Sequence, residues 1–527
     1  MATILMIHCN RLVSGVQYPG MSSLSAFSKR AGHNFVFFDT ANYTSQNTSE
    51  SYRSYKDNRF RIDLEFRHIK DKEAMPFKKP LPELLTDLKR EISSRKIDMV
   101  GVSSFSDDWA FALFIIKKVR AILPSVPIVV GGVHATVNPN GVIKHPEVTA
   151  VCVGEGEEAL VELLDSIDRG RIDTSIKNLW IKDAGKVIKN ALRPLIKLDD
   201  DFPRLDWSLY NDTNFYYPFE GKLFRRGSVF VARGCPYSCS FCINDLFKRT
   251  YPGSSQCRFK SLEYAINELA YLKNEYRLEF LRFWDETFLA MPRKFLLDFA
   301  KAYKEKIDLP FTIETTAPTI NEENAGMLAD MGCQSVSIGV ETSNERLRKG
   351  LLGKPISDSA YDKCFKILTE CGLRKVANLM FFLPHQTLDD MWADVYACQR
   401  WKIDHPSARI FYPYVGTTLR DYCIQNDMID LPTLNWIEDE EAVKTLDGLN
   451  ENYITFQDTV LKFDPAVKEA GKKILNNFIL FQETELSGHA QLSQLLDRDE
   501  ESARNTLRKL EIEVYKKRFG EEPAFSN

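Results

Sequence analysis

Short apolar runs alternate with amphipathic stretches from the first residue to about 185. The runs are ATILMIH (2–8), NFVFF (34–38), IDMVGVSS (97–104), VPIVVGG (126–132) and VTAVCVG (148–154). Between them apolar positions recur at helical spacing over 22–31, 81–94, 108–123 and 157–167. Runs this uniformly apolar are expected of parallel strands covered by helices on both faces, so the pattern predicts a Rossmann-like α/β domain over 1–185. In such sheets ligands settle beyond the carboxyl ends of the strands. Small and polar residues stand there: Ser103 and Ser104 end the third run, Gly131 and Gly132 the fourth with His134 just after, and Gly154-Glu155-Gly156 the fifth. Glycines admit close approach of a large ligand, and the helix opening at Glu157 sets an electropositive N-terminus beside them.

Residues 186–222 are rich in proline, aspartate and aromatics without a sustained period and read as a linker. A second series then runs over 223–427, with strands expected at 227–233, 278–284, 310–316, 335–341, 375–384 and 408–414 and helices at 262–274, 293–306, 322–331, 357–371 and 388–401. Six strand and helix units in register predict a partial (β/α)6 TIM-type barrel with its site at the strands' C-terminal ends. Residues 428–527 turn polar; their clearest helix is 489–519, and the region reads as a helical appendage over the barrel mouth.

A chain of 527 residues, 44% hydrophobic, exceeds what one core supports, so several domains are expected. Its net charge of −4 offers no global attraction for nucleic acid. The apolar opening gives way at Arg11, a first strand rather than a signal peptide, and no stretch approaches the roughly 18 apolar residues of a membrane span. A cytoplasmic protein is the expectation. Eleven cysteines, an odd number thinly spread, argue against a disulfide framework.

Three of those cysteines stand apart. VARGCPYSCSFCIN places Cys235, Cys239 and Cys242 in a CxxxCxxC loop directly after the first barrel strand. Three thiolates can hold three irons of a cubane cluster and leave the fourth iron open, which separates a catalytic cluster from a purely electron-carrying one. Zinc is the alternative, but it would want a fourth ligand, and no further Cys or His lies between 225 and 256.

This spacing, its place after the first strand and the aromatic Phe241 before the last cysteine closely resemble the radical S-adenosylmethionine superfamily. The resemblance implies a four-iron four-sulfur cluster whose open iron binds S-adenosylmethionine and whose electron yields a 5′-deoxyadenosyl radical, supplied through a reducing partner such as flavodoxin or ferredoxin. It sets Phe241 against adenine, Asp285 and Glu286 near the ammonium group, and Glu341 near the ribose or amino acid end. Where relatives carry Gly-Leu-Pro-Gly-Glu-Thr, this chain has Phe382-Leu383-Pro384-His385-Gln386-Thr387, which puts the adenine grip in doubt; PYVGTTL (413–419) resembles a further turn of the superfamily.

An α/β domain ahead of the barrel, with GGVHAT at 131–136 and VGEGEEAL at 153–160, is similar to that of the cobalamin-binding radical enzymes. The resemblance covers about 1–425 and implies cobalamin held by Ser103, Ser104, Gly131, Gly132 and the Gly154-Glu155-Gly156 turn, with His134 in the pocket wall. The DxHxxG motif of ordinary cobalamin domains is absent; the first strand ends His8-Cys9-Asn10-Arg11-Leu12. The implied function is methylation of an unactivated carbon in a small-molecule or natural-product substrate, through the 5′-deoxyadenosyl radical and methylcobalamin. A radical cyclase or rearrangement enzyme without methyl transfer, and a non-catalytic cobalamin or iron–sulfur binding protein, are the alternatives. A methylthiotransferase would need a second cysteine cluster, which Cys9 and Cys152 do not supply.

Overall fold

The computed structural model describes residues 1–10, 16–44, 79–220, 222–253, 257–438, 458–476 and 478–483, with 509, 513 and 516 singly. The helix expected at 489–519 lies, those three residues apart, outside the described residues.

Seven strands form the first sheet: β1 (Thr3–Cys9), β2 (Asn34–Asp39), β3 (Met99–Ser104), β4 (Ile128–Gly131), β5 (Ala150–Cys152), β6 (Leu179–Asp183) and β7 (Lys186–Lys189). Their spatial order is β2-β1-β3-β4-β5-β6-β7; the first five are parallel and the last two form an antiparallel hairpin on the edge. The apolar runs explain the layering. Leu5, Ile7, Val100 and Val102 bury toward helices Glu83–Ser93 and Trp109–Ile122, while Ile4, Met6 and Met99 bury toward Pro19–Arg30 and Glu157–Asp168. Because the chain leaves β1 for β2 on one side and returns to β3 on the other, the order reverses between β1 and β3. A crevice opens there, beyond Cys9 and Ser104, where open α/β sheets bind ligands.

The second sheet runs β8 (Tyr216–Phe219), β9 (Lys222–Val229), β10 (Phe280–Phe283), β11 (Phe311–Thr315), β12 (Cys333–Glu341), β13 (Arg374–Phe381) and β14 (His405–Ile410), in that order in space. The six strands β9–β14 are parallel, with β8 antiparallel on the edge, so the barrel is partial and open. Helices Leu262–Glu275, Arg293–Lys306, Glu322–Met331, Asp358–Glu370 and Leu388–Arg400 cover its outer face, closely as the periodicity predicts. Polar caps start four of the five: the Ser261, Asn321 and Ser357 side chains accept N–H bonds, and Thr387 with Asp390 forms a reciprocal capping box. The stretch read as a linker is more ordered than its composition suggests, since it supplies β7 to the first sheet and β8 to the second.

The described part of the C-terminal region divides. Leu434, Val460 and Leu461 join Leu383, Phe411 and Leu419 in a small apolar cluster near the barrel's C-terminal end. Helices Pro465–Asn476 and Phe478–Glu483 dock instead outside the barrel, where Phe478 meets Phe381 at 5.7 Å between ring centroids and Phe481 meets Trp392 at 5.4 Å. They therefore do not cover the mouth.

Phe382 anchors this docking. It stands at φ +60, where a glycine is usual, and its buried ring packs on Phe463 at 5.5 Å and against Gly471. The side chain offsets the backbone strain with contacts a glycine could not make. Phe382→Ala keeps the strain and loses the packing, so the urea unfolding free energy is expected to fall by about 3–5 kcal/mol, while a change below 1 kcal/mol would show that the ring anchors nothing.

Candidate active site

Two loops meet across the domain boundary. After β9 the chain pairs Ala232–Arg233 with Arg258–Phe259 and turns through Gly234 into the cysteine loop. Cys235, Cys239 and Cys242 are all partly exposed within it. The Cys235 Sγ lies 3.4 Å from the Thr287 hydroxyl, and the Asn244 amide donates to the Cys242 Sγ at 3.7 Å. Burial pushes the Cys239 thiol up to about 11, with the Lys354 charge opposing the rise, and pushes Cys242 up as well.

Among the described residues no three His, Cys, Asp or Glu side chains converge on the position of a single ion. A cubane asks for a different arrangement, three thiolates around a core several atoms wide, and the three loop cysteines supply that donor set. Hydrogen bonds to the sulfurs and limited solvent access, both present here, tune such a cluster's potential.

The loop is fastened from below. Ser240 donates from its backbone to Leu352 at 3.0 Å and from its hydroxyl to Leu351 at 2.7 Å, and accepts from Leu419 N–H at 2.9 Å. Arg249 from the following helix (Ile243–Thr250) donates to Gly416 at 2.8 Å, so PYVGTTL buttresses the cysteine loop. Phe241 packs on the apolar cluster containing Leu352 and Phe411.

Asp285 does not face the cavity. It is 1% exposed, its carboxylate accepts from Val231 N–H at 3.1 Å and Ala232 N–H at 2.5 Å, and burial pushes it up to about 7 against those donors. It thus shapes the turn into the cysteine loop, which a sequence reading of an acid at a strand end could not separate from ligand contact. Glu286 lies beside Gly234, whose N–H it accepts at 3.0 Å, and the protein packed around it raises its carboxyl.

Glu341 ends β12 at φ +70 and pairs with Lys354 at 2.9 Å. Burial, which would lower the Lys354 ammonium, is outweighed by Glu341. A side chain at Gly339 would meet Glu341 Oε1 at 2.5 Å and Lys354 Nζ at 2.7 Å, so only glycine leaves room for the pair. A Cβ added at Gly353 would lie 3.4 Å from the Ser238 carbonyl, so the chain before Lys354 runs close to the cysteine loop, and the Lys354 charge acts on Cys239. Lys354 escaped the sequence reading because it follows a loop without a strand signal.

On the other domain, Ser103 and Ser104 end β3 at the crevice, Gly131 and Gly132 end β4, and Gly132 turns at φ +89. Among the described residues the buried Ser104 hydroxyl and the His134 Nε2 have no hydrogen-bond partner. His134 stacks on Trp109 at 4.7 Å, and its Nδ1 meets the Ser106 hydroxyl at 3.1 Å; burial lowers it to about 3, so it is neutral. Phe105 next to Ser104 is 46% exposed. An apolar surface flanked by unanswered polar atoms at a strand-order reversal fits a large planar cofactor with polar substituents.

Gly154, at φ +85, lets Tyr251 of the barrel domain approach so closely that a Cβ would lie 1.9 Å from its hydroxyl. Gly156 caps helix Glu157–Asp168. Glu155 turns away from the crevice: its carboxylate takes Arg258 at 2.7 Å and Arg233 at 3.2 Å, and accepts from Ile196 N–H at 2.7 Å. Glu157 completes the clamp, bonding Arg233 at 2.8 Å and the Ser23 hydroxyl at 2.9 Å. Burial tends to raise Glu157, but the Arg233 charge holds it below its ordinary value. Arg233, two residues before Cys235, is thereby tied to the turn and helix start that follow β5 of the first sheet.

Comparisons with known proteins agree with both halves. Residues 229–395 match the Radical SAM superfamily and residues 75–164 the B12 binding domain. An uncharacterized methyltransferase of Pyrococcus horikoshii is 30% identical over 354 residues, 67% of this chain and 74% of that protein. The chain belongs to the cobalamin-dependent radical S-adenosylmethionine enzymes. It is also similar to an anaerobic magnesium-protoporphyrin IX monomethyl ester cyclase of Cereibacter sphaeroides, at 24% identity over 71% of this chain and 61% of the relative. In fold it matches the radical S-adenosylmethionine methyltransferase TsrM of Kitasatospora setae, solved with cobalamin and an iron–sulfur cluster, at a TM-score of 0.60, 16% identity and coverage of 81% and 78%. OxsB with aqua-cobalamin gives a TM-score of 0.61 at 13% identity, covering 98% of this chain and 73% of that one. The family's cofactors are the four-iron four-sulfur cluster, S-adenosylmethionine and cobalamin. No helix among the described residues is long and apolar enough to cross a membrane.

Removing Arg233 leaves Glu157 buried without its partner, an imbalance of about 3–5 kcal/mol. Arg233→Ala is expected to lower the urea midpoint and the cobalamin retained after gel filtration, with Arg233→Lys intermediate. The pH dependence carries a sign. A depressed carboxyl contributes stability above its unfolded pKa of about 4.3, and loses it as pH falls through the lower folded value. The urea midpoint of the apoprotein should therefore fall more steeply below that pH in the wild type than in Arg233→Ala; parallel curves would remove the clamp from the account.

Proposed function

We propose that this enzyme methylates an unactivated carbon of a small-molecule or natural-product substrate held in the barrel lumen. One observation carries the reading: Arg233, two residues before the first loop cysteine, is ion-paired to Glu155 and Glu157 after β5, which brings the cysteine loop and the cobalamin-side turn side by side. The methyltransferase names of the Pyrococcus relative and of a Streptomyces wedmorensis relative acting on cytidylyl-2-hydroxyethylphosphonate support it.

When bound, the cluster supplies the electron that cleaves S-adenosylmethionine to methionine and a 5′-deoxyadenosyl radical, and cobalamin supplies a transferable methyl group. Cys235, Cys239 and Cys242 would hold the cluster and Phe241 would flank adenine. Glu286 and the Glu341–Lys354 pair would set the polar end of S-adenosylmethionine. Ser103, Ser104, Gly131, Gly132 and the two glycines Gly154 and Gly156 would receive the corrin, with His134 walling it through Trp109. A neutral imidazole already engaged at Nδ1 suits that wall. A cytoplasmic setting and a flavodoxin- or ferredoxin-type reductant suit this chemistry.

The cyclase of Cereibacter sphaeroides favours a second reading, radical rearrangement without methyl transfer. The products separate the two. Anaerobically reconstituted enzyme that methylates releases 5′-deoxyadenosine together with S-adenosylhomocysteine, whereas the rearrangement releases the first alone. Cys239→Ala should lose the iron-linked absorbance and lower deoxyadenosine to the no-enzyme background; turnover surviving this substitution would overturn the cluster assignment.

A further inference from the structure

The two faces of the barrel sheet differ in chemistry. On β10, Leu281 and Phe283 enter the core beneath the helices, so Arg282 between them points into the lumen. On β11 the same alternation buries Ile313 and turns Glu314 inward; on β13 it buries Leu379 and turns Asn378 inward. Arg282 donates to Glu314 at 2.7 Å, and its guanidinium lies 3.9 Å from the centroid of the Trp284 ring.

These groups are open. Arg282 and Glu314 side chains are 27% and 42% exposed, and Trp284 is 37% exposed, although β10 and β11 are interior strands of the sheet. Among the described residues the bond to Glu314 is the one side-chain hydrogen bond of Arg282, so most of the guanidinium's five N–H donors are unspent. An arginine held over an aromatic ring keeps a planar fork of N–H donors near that ring, and such a fork suits a two-oxygen anion.

We propose that the lumen takes a substrate joining a flat, apolar portion to an oxyanion, the flat portion against Trp284 and the oxyanion on Arg282. This names the substrate class for the function proposed above and rests on that reading. The Arg282–Glu314 pair is then a gate of modest strength: the substrate anion competes with Glu314 for the guanidinium.

The test uses the reconstituted full-length enzyme and three probes with one ring system: 1-naphthoate, 1-naphthyl phosphate and the uncharged 1-naphthamide, titrated by calorimetry. A hydrogen bond to a charged partner distinguishes the anions from the amide by about 10-fold or more. Arg282→Met should bring the anions to the affinity of the amide, Arg282→Lys should keep part of the preference, and Glu314→Gln should tighten the anions several-fold by freeing the guanidinium. The stronger of the two anions tells carboxylate from phosphate. Equal binding of acid and amide, no binding of any probe, or a preference untouched in Arg282→Met would overturn the proposal. Each protein is also assayed for iron and for deoxyadenosine. A wild type without deoxyadenosine refutes the catalytic reading while leaving the anion preference to be judged by calorimetry, so the two failures are separable.

Discussion

A single guanidinium, Arg233, sits where everything else must agree. It reaches from the strand before the cysteine loop to Glu155 and Glu157 just after β5 of the first sheet, with Phe202 and Phe230 rings near it at 5.3 Å and 5.0 Å. Charges removed from water are costly unless paired, and here each has its counterpart only when both domains are in place. Arg258 adds a second tie to Glu155, and the Tyr414 hydroxyl donates to Asp107 at 3.2 Å across the same boundary. The two cofactor loops are therefore parts of one buttressed unit.

The turn after β13 shows backbone shape outlasting residue identity. Superfamily members place glycines where Phe382 and His385 stand, and both residues nonetheless adopt the left-handed conformation, at φ +60 and +64. Such geometry costs a non-glycine residue roughly 1–2 kcal/mol, and local contacts offset it. Phe382 fills the space against the C-terminal helices, and His385 Nε2 meets the Tyr422 hydroxyl at 2.8 Å. Gln386, in place of the acid, receives Leu383 N–H at 3.1 Å and donates to Asp394 at 3.1 Å. Asp394 in turn accepts from Thr342 and Ser343, so the ends of β12 and β13 remain joined.

Much of this was legible in the amino-acid order because its signals are local. Apolar alternation marked the strands, capping residues marked the helix starts, and three cysteines at short spacing marked the loop. What escaped depends on partners distant in sequence. Asp285 looked like a ligand-facing acid, yet its bonds run to Val231 and Ala232, and Glu155 looked like part of a cofactor cradle, yet it answers arginines 78 and 103 residues away. Lys354 lacked any local pattern. The weak strands β7 and β8 were hidden because edge strands can be short and polar.

In a frame braced in this way, any hinge opening between the two halves would have to part Arg233 and Arg258 from their carboxylates and Tyr414 from Asp107 together, so separation exposes several charges to water at one stroke rather than one by one.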